Sequence, residues 1–311
     1  MSQDNIKVKA DVSCCASCGI AEIDDVKLMK DCDDCDLVKY CCNNCQEDHK
    51  LEHKEACKKR AADLREELLF KHPEETYLGD CPICILPLPL DQLRSSFMTC
   101  CSKIICNGCK VANLKRQLEM RLALSCPFCR KPEPETEEEL LKRNMKRVAM
   151  NDPDAMCYEG GKKYDKGEYR SAFEYWTKAA KLGSADAHCK LGVLYDEGHG
   201  VEKDREKKIF HFEEAAIGGH TNARHGLGYD EYNNGNHERS VKHFIISATQ
   251  GLDGSMKSLM TQFRRGYVSK EELAATLRAH KAAVDATKSP QREFAVQFEE
   301  MKRKQINEAK V

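Results

Sequence analysis

The sequence predicts a multidomain chain in which two small metal-stapled modules precede an all-α solenoid of helix-turn-helix repeats. Three observations carry that prediction. Seventeen of the 19 cysteines fall between Cys14 and Cys129. Most of those cysteines stand in pairs spaced as metal knuckles. Beyond Asp152 the chain repeats, with spacings of 32, 36 and 32 residues between Ala155, Ala187, Ala223 and Ser255.

Composition narrows the setting. The chain has 311 residues, a net charge of -1 and 32% charged residues, so it lacks the basic surplus of a general nucleic-acid binder. No run of eighteen apolar residues occurs, which excludes a membrane-spanning helix. The first residues, 1–13, are polar and carry no apolar signal core. These features predict an intracellular protein of the cytoplasm, the nucleus or both. A reducing compartment disfavours disulfides. A cysteine-rich segment with no Trp and few Phe or Tyr buries little apolar surface, so metal is the expected staple.

The first module covers residues 14–57. Its donors run Cys15-x-x-Cys18, Cys32-x-x-Cys35, Cys41-x-x-x-Cys45 and His53-x-x-x-Cys57. A CxxC pair turns two thiolates toward one ion, and residues four apart share one face of a helical turn. Eight N/S donors with no open position fit two closed structural zinc sites. The segment resembles the MYND zinc finger along its whole length. The resemblance implies interleaved, cross-braced sites, with Cys15, Cys18, Cys41 and Cys45 on one zinc and Cys32, Cys35, His53 and Cys57 on the other. Tyr40, Gln46 and Lys54 also stand where that family expects them. Lys50 occupies the place of the family's usual Trp, which helps form a groove for proline-containing peptides. Cys14 and Cys42 are surplus and read as bystander thiols; His49 reads as an exposed, solvated histidine.

Residues 58–79 read as a helical linker, with Leu64, Leu68 and Leu69 at helical spacing and Pro73 and Gly79 as its punctuation. The second module covers 80–131. Its donors are Cys81-x-x-Cys84, Cys100-Cys101, Cys106-x-x-Cys109 and Cys126-x-x-Cys129. The order of pairs resembles an all-cysteine RING finger, in particular the RING of the ubiquitin-ligase subunit attached to the eukaryotic deadenylase complex. Cross-bracing would place Cys81, Cys84, Cys106 and Cys109 on one zinc and Cys100, Cys101, Cys126 and Cys129 on the other. Two departures stand out: Cys100 and Cys101 are adjacent, and Lys103 occupies the position of the common histidine ligand. The resemblance also implies an apolar groove for a ubiquitin-conjugating enzyme at Ile83, Leu86, Leu88 and Pro127. Arg130 would stand where active RINGs place a ubiquitin-clamping donor. Asn113 stands where that groove usually has a bulky residue.

Residues 132–151 form a charged linker, acidic and then basic, in the order that suits a helix dipole. Residues 152–290 are the repeat array. Each unit closes on a phrase such as Ala179-Ala180-Lys181-Leu182-Gly183 or Ala215-Ala216-Ile217-Gly218-Gly219. Each inner phrase follows Leu191-Gly192-x-x-Tyr195-x-x-Gly198-x-Gly200. Such periods mark solenoids whose units bury a face only against neighbours. The small residues let paired helices approach closely, and the terminal Gly supplies a left-handed cap. Phe173, Trp176, Phe210, Phe212 and Phe244 are expected in the interhelical seams, and Cys157 and Cys189 read as small buried hydrophobes. The pattern resembles Sel-one-like repeats, tetratricopeptide relatives that dock proteins; the first unit departs by carrying Glu159 where Leu is usual. Lys270 to Ala286 is expected as a capping helix, and 291–311 as a charged C-terminal helix or tail.

No Ser-His-Asp set, Walker sequence or dinucleotide fingerprint is present. The favoured function is therefore a zinc-binding protein–protein interaction adaptor holding four zinc ions, two per finger. A RING-type ubiquitin ligase that selects substrates with its repeats is the alternative, and it needs no nucleophile because it acts by orientation. A transcriptional or chromatin-linked cofactor ranks third. The partners are proteins, with Lys190, Tyr229 and His225 as expected exposed contacts on the first helices of the repeats.

Overall fold

Between Asn43 and Phe70 no Pro or Gly interrupts the chain. The computed structural model, which describes residues 15–17, 30–32 and 38–308, accordingly has one 28-residue helix there, α1 (Asn43–Phe70). The helix carries both the His53–Cys57 pair and most of the stretch expected as a separate linker. Ahead of it, β1 (Lys30–Asp31) pairs antiparallel with β2 (Lys39–Tyr40), and Tyr40 is buried beside Cys15. Cys14, Cys18 and Cys35 lie outside the described residues. The chain divides into two units, residues 1–71 and 72–311.

The second unit begins with an extended segment that lies on the repeats. Tyr77 N donates to Gly219 O at 3.3 Å, its ring stacks on His220 at 4.0 Å, and Gln250 donates to Glu75 O at 3.3 Å. Gly219 allows this approach, since a Cβ there would sit 2.9 Å from Glu75 O. The second cysteine module follows. Its hairpin joins β3 (Ser95–Met98) to β4 (Lys103–Cys106) in antiparallel register, Ser95 opposite Cys106, and leads into α2 (Asn107–Glu119). Cys81, Leu88, Ile105, Cys106 and Cys109 form its small core.

Next comes α3 (Glu137–Val148), capped by Thr136, with three glutamates in its first turn and Lys146 and Arg147 in its last. Those charges complement the helix dipole. Asn144 of α3 is fully buried and donates to Glu159 Oε2 and to Ala155 O, each at 3.2 Å. That contact accounts for the glutamate in the first repeat: α3 caps the array through a polar pair where an internal neighbour would offer apolar side chains.

The repeats are α4 (Pro153–Asp165) with α5 (Tyr169–Lys181), α6 (Ala185–Glu197) with α7 (Arg205–Ile217), and α8 (Thr221–Asn233) with α9 (His237–Thr249). Then α10 (Asp253–Arg264) and α11 (Lys270–Ala286) close the stack, and α12 (Pro290–Glu308) follows. Asp152, Ser184 and His220 cap the first helices of three successive repeats, satisfying orphan amides. One contact recurs at the repeat period. A glycine of the first helix lies under an aromatic ring of the second: Gly160 under Trp176, Gly192 under Phe212 and Gly228 under Phe244. Any Cβ at the first two would meet the ring at 2.4 Å, and at the third at 2.9 Å.

Some sequence expectations need correction. Phe210 is 48% exposed. It is two residues, about 200° of helix, from the buried Phe212, so it points away from the seam. Lys190 and His225 are half-buried, and His225 Nδ1 pairs with Ser255 Oγ at 2.8 Å; only Tyr229 is well exposed. Cys157 is buried but polar in its contacts, its thiol donating to Asp186 Oδ2 at 2.9 Å. Burial opposes the charge on Asp186, yet His220, Lys190 and Cys157 hold it down to about 2. Of the two forms expected for the C-terminal segment, the structure has the helix, and α12 packs on α2 of the cysteine module.

Candidate metal centres

Four groups of metal-ligating side chains form among the described residues, and in each the donor atoms lie within 4.8 Å of one another. In the second unit, Cys81, Cys84, Cys106 and Cys109 make one group, and Cys100, Cys101, Cys126 and Cys129 the other. The first is built by the turn after Asp80, the end of β4 and the start of α2. The second takes Cys100 and Cys101 from the β3–β4 turn and its other pair from the Ser125–Arg130 turn. In the first unit, Cys15, Cys41 and Cys45 come together, as do Cys32, His53 and Cys57. Each triad thus draws on both halves of its module.

The distances test the fit to zinc. Four sulfurs at Zn–S of about 2.3 Å in a tetrahedron are about 3.8 Å apart. The sulfur separations are 3.9 Å for Cys81–Cys109, 3.8 Å for Cys84–Cys106 and 4.0 Å for both Cys101–Cys126 and Cys100–Cys101. Cys100–Cys129 is 3.4 Å, Cys41–Cys45 is 3.6 Å and Cys32–Cys57 is 3.7 Å. The residues fit the ion. Adjacent Cys100 and Cys101 both reach the second cluster from the tight β3–β4 turn, where the amides of Cys101 and Ser102 both donate to Met98 O, at 3.1 and 2.8 Å.

The electrostatics agree. Burial pushes the Cys101 thiol up to about 11 and Cys109 up to about 12, and raises Cys100 as well. Within the first cluster, the hydrogen bond between them pulls Cys81 down to about 4 and raises Cys106. Thiols packed this closely do not all ionise unaided. A divalent cation at the centre would supply the missing compensation and displace the protons.

The residues expected in a docking groove divide. Ile83 is 40% exposed and Leu86 half-buried, whereas Pro127 is buried; Ile85, which is not among the expected residues, is 66% exposed. Leu88 belongs to the module core. Arg130 is exposed in a left-handed turn at φ +62°, and its Nη1 donates to Asn113 Oδ1 at 3.2 Å. Asn113 also donates to Ser125 O at 3.1 Å, so it bridges the two sides of the Cys126–Cys129 turn. Of the surplus residues, Cys42 is exposed, and His49 pairs with the Tyr40 hydroxyl at 3.0 Å. Sequence reasoning missed Arg292. Its side chain reaches Cys84 Sγ at 3.4 Å, and no local pattern around Pro290 announces that contact.

Comparison with known proteins identifies the first module and part of the repeat array. Residues 15–57 match the MYND finger model, and residues 148–184 and 185–220 each match the Sel1 repeat model. The Helicobacter pylori protein HcpC is 38% identical over 60 residues, 19% of this chain; the match spans about a fifth (21%) of that relative. Among solved structures, a Sel1 repeat protein from Oxalobacter formigenes aligns with 22% identity and a TM-score of 0.42, over 56% of this chain and 72% of that one. The Escherichia coli protective antigen c5321, which displays an SLR fold, aligns with 19% identity and a TM-score of 0.40, over 52% and 36%. No helix among the described residues is long and apolar enough to cross a membrane. The chain therefore carries a MYND zinc finger at residues 15–57 and Sel1 repeats at residues 148–220.

Proposed function

We propose that the protein is an interaction adaptor that binds four zinc ions, two in residues 14–57 and two in residues 80–131, and presents its repeats to partner proteins. The observation that carries the reading is the closed donor geometry: the two tetrads of the second unit use four thiols each, which leaves no coordination position for a substrate. In the first unit, Cys18 and Cys35 are proposed to complete the triads. Zinc there is architectural. It fixes the chain where the apolar core is small, and the contacts with partners fall to the exposed faces.

A second reading is favoured by three residues. Ile83 and Ile85 are exposed beside the first cluster, and Arg130 stands exposed after the last cysteine, held by Asn113. Together they are the kind of surface a RING ligase offers to a ubiquitin-conjugating enzyme; the burial of Pro127 counts against it. Autoubiquitination by the zinc-loaded chain with a panel of conjugating enzymes separates the readings. Absence of ubiquitin chains with every enzyme supports the adaptor. Chains that Ile83→Ala abolishes, with zinc and helix content intact, would replace it with the ligase.

A further inference from the structure

Arg292 sits in the first turn of α12, 8% exposed, at the edge of the cluster formed by Cys81, Cys84, Cys106 and Cys109. Its Nη1 donates to Pro87 O at 2.6 Å and to Thr287 O at 2.7 Å. Its Nη2 donates to Leu86 O at 3.0 Å and to Cys84 Sγ at 3.4 Å. One buried cation therefore joins the end of the repeat array, the loop after Cys84 and a candidate ligand sulfur. The helix behind it is tightly seated. A Cβ on Gly108, next to Cys109, would lie 2.9 Å from the Arg292 backbone N, and Ala295 one turn on is 1% exposed.

The chemistry gives this contact a role. A divalent ion held by four thiolates carries a net charge of about -2 in a partly dry site, and such sites depend on N–H···S hydrogen bonds and nearby positive charge. We infer that Arg292 is a positioning residue of the metal site at Cys81, Cys84, Cys106 and Cys109, so that the C-terminal helix is a working part of that zinc centre. The inference rests on the reading of this cluster as a zinc site. Linkage then runs both ways: whatever factor helix docking adds to metal affinity, the metal adds to helix docking. Among the described residues no arginine donates to Cys100, Cys101, Cys126 or Cys129, so the second cluster serves as an internal reference.

The test uses the full zinc-loaded chain and a chromogenic chelator, with zinc counted per ion released. Arg292→Gln keeps an amide donor for the carbonyls and removes the charge; it should weaken one ion by about 10–100-fold, the usual effect of losing an outer partner of a metal ligand, and leave the others as in wild type. Arg292→Lys should recover part of that loss. Ala295→Glu leaves Arg292 intact but forces α12 off α2, and should reproduce the Gln result. Amide exchange across residues 290–300 should rise in wild type once that ion is removed. Unchanged retention of every ion in both Arg292→Gln and Ala295→Glu would overturn the inference, as would equal weakening of all ions. A wild-type chain that holds no zinc at this cluster would instead overturn the metal reading beneath it.

Discussion

Gly160 and Gly161 are consecutive residues of α4, and the structure assigns them opposite responses to the same substitution. A Cβ on Gly160 would lie 2.4 Å from Trp176 Nε1 and 2.6 Å from its Cδ1, whereas a Cβ on Gly161 meets nothing within 4 Å. Overpacking a closed seam costs about 1–3 kcal/mol. Displacing Trp176 also breaks its hydrogen bond to Cys157 O at 3.1 Å, and leaving that buried N–H unpaired costs roughly 1–3 kcal/mol more. Replacing helical Gly by Ala returns about 1 kcal/mol in either case. Gly160→Ala should therefore destabilise by about 3 kcal/mol, while Gly161→Ala should be neutral or stabilise by up to about 1 kcal/mol. Trp176 is the chain's only tryptophan, so urea unfolding followed by its fluorescence reports on this seam directly. Shifts of the same sign in the two variants would refute the glycine–aromatic lock as the organising contact of the repeats.

Acid should weaken the array before carboxylates titrate. Burial pushes His243 down to about 3 and His211 down to about 4, against about 6.5 in an unfolded chain, so both stay neutral when folded and take up protons on unfolding. Stability is then full above about pH 6.5 and falls as the pH drops toward 4. Urea midpoints at pH 7.5 and 5.0 should differ less in His243→Gln than in wild type, with zinc occupancy followed alongside; equal differences would remove His243 as a cause. Exhaustive chelation should unfold the cysteine modules and leave the repeats helical, because structural zinc supplies an apparent ~10–16 kcal/mol per finger; far-ultraviolet circular dichroism that collapses to coil would contradict this. If the chain transfers ubiquitin, Arg130→Ala should slow transfer with little change in conjugating-enzyme affinity. Asn113→Ala should then mimic it by releasing Arg130, and a normal rate in Asn113→Ala would dismiss the positioning role.

What could be read in advance followed from physics that acts over short sequence distances. Metal ions demand donors at fixed spacing, so Cys81–Cys84 and Cys126–Cys129 announce themselves. Aromatic side chains recur with the repeats, which made Trp176, Phe212 and Phe244 recognisable as core, although not the glycines that lie under them. Phe210 misled because composition places an aromatic near the seam, while only the helical angle decides between it and Phe212. The docking of residues 72–79 on the repeat turns, and of α12 on α2, left no local trace. Arg292 acts on Pro87 across 205 residues of sequence, and neither end has a pattern that names the other. Glu159 was legible as an anomaly but not as half of a buried pair, because its partner Asn144 lies in what reads as a charged linker.

On the proposed reading, both cysteine-rich modules are closed zinc centres. The most direct test combines elemental analysis of the purified full chain with zinc X-ray absorption. Two closed sites in each module should give four zinc ions per chain and an average first shell in which fifteen sulfurs and one nitrogen are shared among the four, the nitrogen being that of His53. A stoichiometry of about two, where two closed four-donor sites per module require four, or a shell with oxygen ligands from water, would contradict it.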